Sequence, residues 1–372
     1  MIGSQRKYWI GFSRAAGIGA VRLRALLDHF GDIEAAWFAE EPVLRQTGIG
    51  PHAVGGLLEA RRSLDLDGEV DRLDHAGFDF LTWDDETFPP PLLEIASPPI
   101  VLYRWGALRP DDRYAVALVG TRRPTAYGQA VARDVATALA VHGVTVISGL
   151  ARGVDSIAHR AALDAGGRTL AVLGSGLDEI YPPEHRSLAQ EIAGQGALLT
   201  EYPLGVRPEA GNFPVRNRIV AGLARAVVVV EAGEASGALI TADFAAEQGR
   251  DVFAVPGSIY SRASRGTNRL LLTGATPLTS PEDVLEALRV PTALPLEEEN
   301  LVWTGGELEM LLAGLLSDDP IHADDLVART RRTPSEVMAA LAMLELQGRA
   351  VQVGGMNYVS VRRPRRVAEV GA

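Results

Sequence analysis

Between Phe213 and Arg218 the sequence places an aromatic ring, Arg216, Asn217 and Arg218 within six residues, at the start of a helical stretch. An aromatic ring can stack on an unpaired base while arginines and helix N–H groups neutralise phosphates, the combination that single-strand binders use. Spacing alone leaves a plainer reading open, with Phe213 in a core and the arginines solvated. Other segments offer related chemistry: Gly120-Thr121-Arg122-Arg123, Ser148-Gly149-Leu150-Ala151-Arg152-Gly153, Gly174-Ser175-Gly176, and Gly233 through Ser236-Gly237. Glycine lets a backbone approach a phosphate closely, and N–H groups at a helix start bind it.

Several more specific chemistries are absent. There is no G-x-x-x-x-G-K-[ST] phosphate loop, and Lys7 is the single lysine. Gly174-Ser175-Gly176 lacks the third glycine of a dinucleotide fingerprint, and Leu173 breaks a G-x-S-x-G elbow around Ser175. The absence of cysteine excludes thiol nucleophiles, disulfides, iron–sulfur clusters and Cys-ligated zinc. The seven histidines are scattered without metal-ligand spacing. Asp155 and His159, four apart on one helical stretch, read as a local orienting pair rather than a catalytic dyad. The expectation is therefore a binding rim with no catalytic residue, no cofactor and no metal.

The elements that would position this rim are legible in the apolar runs. AVALVG (115–120), VTVISG (144–149), TLAVLG (169–174), GALLTEY (196–202), AVVVVEA (226–232) and DVFAVPG (251–257) alternate with helical stretches. Continuous apolar runs of this kind suit strands buried on both faces, and helical connections between them imply right-handed crossovers. The pattern predicts an α/β fold, a doubly wound parallel sheet. All the segments above then fall at carboxyl ends of strands, where open sheets bind ligands.

In front of this region, Gly17-Ile18-Gly19 precedes an amphipathic stretch with Val21, Leu23, Leu26, Leu27 and Phe30. Gly48-Ile49-Gly50 precedes a second carrying Val54, Leu57 and Leu58. A Gly-apolar-Gly turn between short helices is the helix-hairpin-helix pattern; its glycines either expose N–H groups to a phosphate or simply turn the chain. The Pro-rich, aromatic segment from Gly77 to Gly106 reads as a connecting extension with short strands. After an acidic, Pro-containing linker come two helices, a third opened by Thr333-Pro334, and two strands around Gly354-Gly355, a winged-helix module. The predicted division is a helical domain over 1–75, a Rossmann-like domain over 76–290, a linker over 291–302 and a winged helix over 303–363.

A length of 372 residues suits two or three domains, and 47% hydrophobic residues exclude wholesale disorder. The net charge of −11 argues against a basic coat, though not against one basic cleft. Residues 1–114 and 276–372 each carry −6, whereas residues 115–275 carry +1. The N-terminus lacks a signal-peptide pattern, and no apolar run approaches the ~20 residues of a spanning helix. A soluble, cytoplasmic chain is expected.

The runs VALVGTRRPTAYG, SGLARGVDSIAHRAAL, AVLGSGLDEIYPPEHRSL, TEYPLG, FPVRNRIVAGLA, VVVVEAGEASGALITADFAAEQGRDVFAVPG and GTNRLLLTGA cover about 160 residues in one order. Together they resemble the DNA-processing protein A (DprA/Smf) family, and FPPPLLEIASPPIVLYRWG resembles the family's extension of the Rossmann-like fold. The resemblance implies a non-enzymatic protein that binds and protects single-stranded DNA. It also implies loading of the RecA recombinase in natural transformation and homologous recombination. The implied partners are single-stranded DNA, RecA, single-strand-binding protein and a second copy bound through the Rossmann-like domain. DNA contacts carried over are Arg122, Phe213, Arg216, Asn217 and Arg218, with Ser148-Gly149 and Ser236-Gly237 as backbone neighbours of a phosphate. Family members often have a basic residue just before the aromatic; here Glu209-Ala210-Gly211 intervene and Arg207 is the nearest cation. Pro183 stands where some relatives have lysine, and Arg186 is the substitute. Two other readings remain. One is a phosphoribohydrolase-like enzyme, whose phosphate loop the stretch Ser236 to Thr241 resembles and for which Asp243 is the first acid available. The other is a winged-helix regulator of duplex DNA.

Overall fold

The computed structural model describes residues 2–289, 306–317, 320–347 and 349–360, and the chain divides into two compact units, Met1–Thr292 and Ala293–Ala372. The predicted linker over 291–302 lies outside the described residues.

The first unit is built on a nine-stranded sheet. Its strands are β1 (Asp79–Leu81), β2 (Leu102–Gly106), β3 (Ala115–Val119), β4 (Thr145–Ser148), β5 (Thr169–Val172), β6 (Ala197–Thr200), β7 (Ala226–Val229), β8 (Asp251–Ala254) and β9 (Thr276–Pro277), in the order β1-β2-β6-β5-β4-β3-β7-β8-β9. From β6 to β9 all neighbours are parallel, as the apolar runs predict. The Pro-rich extension forms the antiparallel hairpin β1–β2, which joins the sheet beside β6. β9 was not readable as an apolar run, because it has two exposed residues, one of them proline.

Side chains alternate across the sheet because successive strand residues point to opposite faces. Val116, Leu118, Val146, Ala226 and Val228 pack with residues of α8 (Ala126–Val141) and α9 (Val154–Asp164). Ala117, Val119, Ile147, Val172, Val227 and Val229 pack instead with α11 (Asn212–Leu223) and α12 (Gly237–Glu247). The arrangement is the extended Rossmann-like, doubly wound fold.

Helices α1 (Ile2–Arg14), α2 (Ala20–Phe30), α3 (Ile33–Phe38), α4 (Glu41–Gln46), α5 (Pro51–Ser63) and α6 (Leu66–Ala76) precede the sheet. Their Trp9, Phe12, Leu23, Trp37 and Leu57 share one core with Phe80, Tyr103 and Leu198, and with Ile192 of α10 (Arg186–Gln195). The helical layer is thus fused to the hairpin end of the sheet. Both Gly-Ile-Gly segments are turns between helices, with positive φ at Gly17, Gly48 and Gly50. Helix α5 packs closely on the chain just before the first of them: a Cβ on Gly56 would lie 2.0 Å from the Ala16 carbonyl oxygen. Val21, expected on the apolar face of α2, is 73% exposed, since it lies on the side opposite Leu23 and Leu26. At the outer edge of β1 the Phe80 carbonyl accepts a hydrogen bond from Arg6 Nη2.

Three further helices belong to this unit: α7 (Pro90–Leu93), α13 (Arg265–Leu272) and α14 (Glu282–Ala287). The second unit has α15 (Glu307–Leu315), β10 (Ile321–His322), α16 (Ala323–Thr330), α17 (Pro334–Leu346), β11 (Ala350–Gly354) and β12 (Asn357–Ser360). Its sheet runs β10-β12-β11 over a core of Leu312, Leu326, Val337, Leu341, Leu344 and Tyr358. Thr333 caps α17 reciprocally: its Oγ1 accepts from Glu336 N, and the Glu336 carboxylate accepts from Thr333 N at 2.9 Å. This is the winged helix expected from the sequence. Among the described residues no helix is long and apolar enough to cross a membrane.

Candidate nucleic-acid interface

The strand order reverses between β4 and β7 on either side of β3, and a crevice opens there beyond the carboxyl ends. Its volume is about 800 Å3, and its walls come from the loops after β3, β4, β5, β6 and β7 and from α11 and the first turns of α12.

The most prominent feature inside is a group of side chains. The Arg122 guanidinium carbon sits 5.5 Å from the centroid of the Phe213 ring, and Tyr181 packs beside Phe213, tilted by 45° with centroids 5.7 Å apart. Phe213 is half-buried, whereas Arg122 is exposed. Gly174 permits the arrangement, since a Cβ there would approach the Phe213 ring to 3.0 Å. Phe213 is therefore neither a core residue nor a free one; it is a half-buried ring at the rim, held by Arg122 and Tyr181 beside it.

The loop that carries Arg122 is held in place by a buried carboxylate. Glu231, 2% exposed at the end of β7, accepts from Thr125 N at 2.8 Å and from Thr125 Oγ1 at 2.6 Å. Its own carbonyl accepts from Thr121 N at 2.7 Å, so the Arg122 loop is tied to β7 at both ends. Thr125 in turn caps α8 by accepting from Gly128 N.

Behind the rim lies a second buried charge system. Arg216 is 4% exposed; its Nη1 donates to the carbonyls of Gly149, at 3.0 Å, and Val172. It joins the carboxyl ends of β4 and β5, and only glycine fits at 149, where a Cβ would lie 2.5 Å from Arg216 Nη2. Asp155 faces this guanidinium and accepts from the N–H groups of Gly149 and Ala151, both at 3.2 Å. Burial pushes the Asp155 carboxyl up, opposed by Arg216 and those N–H groups, while burial lowers Arg216 to about 10, which leaves it charged at neutral pH. The expected Asp155–His159 pair does not form. His159 is fully buried and its Nδ1 bonds Thr169 Oγ1 at 2.6 Å. Since Thr169 Oγ1 already donates to the Val146 carbonyl, His159 Nδ1 is the donor, and burial lowers this imidazole to about 3.

The remaining expected contacts divide cleanly. Arg122, Gly149, Phe213, Arg216, Asn217, Ser236 and Gly237 all line the crevice. Asn217 Nδ2 donates to the Gly237 carbonyl at 3.2 Å, linking α11 to α12, and Ser236 caps α12 by accepting from Ala238 N. Ser148 does not line it: the side chain is buried and donates to the Leu118 carbonyl at 2.6 Å. Arg218 does not line it either. Two residues along a helix from Arg216, it points elsewhere and forks onto both Glu201 carboxylate oxygens at 2.7 and 2.6 Å. Arg186 and Arg207 are exposed and lie outside the crevice walls. Asp243, the acid on which the enzyme reading rests, is exposed and outside the walls as well. Tyr181 and Glu231 were not singled out by sequence, because an aromatic before Pro182 and an acid at a strand end carry no local pattern that marks them.

Comparisons with known proteins place the chain in a family. Residues 79–289 match the family described as DNA recombination-mediator protein A, and residues 305–356 match the DprA winged helix domain. The chain is 38% identical to Protein Smf of Synechocystis sp., over 96% of this chain and 99% of that protein. It is 40% identical to the DNA processing protein DprA of Bacillus subtilis, over 57% of this chain and 72% of that one. Among solved structures, DNA processing protein A from Streptococcus pneumoniae superposes with a TM-score of 0.67 at 34% identity, covering 75% of this chain and 97% of that one. A structure addressing the single-stranded DNA binding mode of the Helicobacter pylori protein gives a TM-score of 0.52 at 33% identity, covering 57% and 95%. This chain belongs to the DNA recombination-mediator protein A family, the DprA/Smf proteins.

Proposed function

We propose that the chain binds single-stranded DNA in the carboxyl-end crevice, without catalysis, and passes the strand to the RecA recombinase in transformation and recombinational repair. The observation that carries this reading is the held ring: Arg122 over Phe213, with Tyr181 beside it, at the mouth of the crevice. A fixed aromatic face suits an unpaired base, and an exposed guanidinium beside it suits the adjoining phosphate. Arg122, Gly149, Phe213, Asn217, Ser236 and Gly237 form the contact set in this reading. Arg186 and Arg207 serve as outlying cations, and Ser148, Arg216 and Arg218 hold the walls. The strand that the H. pylori relative binds, single-stranded DNA, is the ligand this crevice chemistry favours.

The reading also assigns residues 1–75 to a helical domain, 76–290 to the DNA-binding domain and 303–363 to the winged helix. It includes a homodimer joined through the Rossmann-like domain and residence in the cytoplasm, beside RecA and single-strand-binding protein. The deciding experiment is a gel shift with single-stranded and duplex oligomers at two salt concentrations. Preference for the single strand, with affinity falling as salt rises, supports the reading. Preference for duplex moves the activity to the winged helix and refutes it.

A further inference from the structure

The crevice does not end the carboxyl rim of the sheet. β8 lies beside β7, and from its end Val255–Ser264 loops over the same edge before α13 begins. The tip of this loop carries Ile259, 77% exposed, and Tyr260, 90% exposed. A fully solvated aromatic commonly sits on a pliant loop, but this stem is fastened at several points. Tyr127 Oη donates to the Pro256 carbonyl at 3.0 Å. The Asn268 side chain bonds both the N–H and the carbonyl of Gly257, at 3.1 and 3.0 Å. Gly266 N donates to the Ala232 carbonyl at 2.7 Å, and Ser264 and Thr267 are buried beneath the loop.

The loop is continuous with the crevice. Gly233, part of the crevice wall, lies against the loop's Arg262 carbonyl, which a Cβ on Gly233 would meet at 3.5 Å. Arg262 and Arg265 follow the tip and are both exposed. Arg265 forms a long, solvent-exposed ion pair with Glu234 at 3.8 Å, which water and salt screen strongly. From β3, whose following loop carries Arg122, to β8 is two strand spacings, about 10 Å. A strand seated on Phe213 and continuing across β7 would reach this loop within a few nucleotides.

We propose that Tyr260 is a second stacking platform for single-stranded DNA, taking a base of the segment that leaves the crevice over β7 and β8. Arg262 and Arg265 meet the phosphates on either side of it. The inference rests on the single-strand reading above and extends its path. Tyr260 and Ile259 are flanked by the polar Ser258, Ser261 and Arg262, a setting that suits one base beside phosphates, and the test below separates this from contact between copies. Stacking on one base needs no more than the ring.

The test compares wild type, Tyr260→Ala and Tyr260→Trp on oligothymidylates of about 6 and about 16 nucleotides, a range that spans typical single-strand sites. Tyr260→Ala leaves the short oligomer's affinity unchanged and weakens the long one by about 5- to 160-fold. Tyr260→Trp restores the long-oligomer affinity, and its added fluorescence is quenched by the long oligomer alone. Equal affinity of wild type and Tyr260→Ala for the long oligomer overturns the proposal while leaving the crevice reading intact. A change in sedimentation mass of Tyr260→Ala with unchanged affinity per protomer also overturns it, and assigns the tip to contact between copies. If wild type binds neither oligomer, the crevice reading itself fails and this one falls with it.

Discussion

Arg122 and Arg218 look equivalent in the sequence, yet their surroundings predict opposite results when each is replaced by alanine. Arg122 is exposed in the crevice, with Phe213 beneath its guanidinium. A phosphate that displaces its solvent and counterions contributes a slope of about −0.7 to log affinity against log salt, so at about 0.1 M salt one contact is worth roughly fivefold. Arg122→Ala should therefore weaken oligothymidylate binding about fivefold through charge alone and flatten the salt slope by about 0.7. Lost cation–π bracing of Phe213 adds a further, salt-independent decrement of about 0.5–1 kcal/mol. Arg218 is already committed: its side chain is 11% exposed, and both Glu201 oxygens, 19% exposed, receive its N–H groups. Its charge is neutralised before DNA arrives. Arg218→Ala should leave the salt slope unchanged and instead lower folding stability, on the order of 2 kcal/mol, by stranding a half-buried carboxylate. Fluorescence anisotropy across a salt series, paired with urea unfolding, reads both quantities. Equal flattening in the two variants would refute the assignment of Arg122 to the ligand and Arg218 to the fold.

Three other outcomes follow from the same geometry. Phe213→Ala should cost about 1–3 kcal/mol of single-strand affinity with the salt slope kept, because stacking releases no ions; a changed slope would mean that the ring acts only by placing Arg122. Glu231→Gln removes a negative charge near the crevice, so simple electrostatics predicts tighter binding. The two donors of Thr125 need two acceptor oxygens, however, and the amide supplies one. The loosened Arg122 loop should bind DNA more weakly, as anisotropy will show, and tighter binding would discredit the positioning role. His159, lowered by burial from 6.5 to about 3, binds its proton more readily when unfolded. Its stabilising contribution is complete above pH 6.5 and is lost toward pH 3, at about 1.4 kcal/mol per pH unit. Unfolding free energies of His159→Asn should show a correspondingly shallower decline over that window; an unchanged decline would place the acid sensitivity elsewhere.

The central strands were legible because β3 to β7 are buried along their whole length on both faces, which forces runs dominated by Val, Ala, Ile and Leu onto the sequence. β9 escaped, since two residues ending in Pro277 leave no run to read. At the site, FPVRNR marked the right place but not the direction of each side chain. Residues two apart on a helix diverge by about 200°, so Arg216 enters the strand ends while Arg218 turns to Glu201. Asp155 and His159 illustrate the converse: correct helical spacing, but Asp155 is satisfied by the Gly149 and Ala151 N–H groups and His159 by Thr169. Long-range partners such as Glu231 and Thr125, 106 residues apart, have no local signature.

The ends of the sheet bear on how this molecule behaves in a crowd. An open sheet exposes two rows of unpaired backbone groups, and molecules gathered along one DNA strand reach high local concentration, the condition under which such rows pair and seed fibres. Here one margin, β1, is three residues long, and Arg6 occupies its Phe80 carbonyl. The other, β9, stops after two residues at a proline that has no N–H to offer. Both margins are thus poor templates for strand addition, so copies can be concentrated with little tendency for their sheets to fuse.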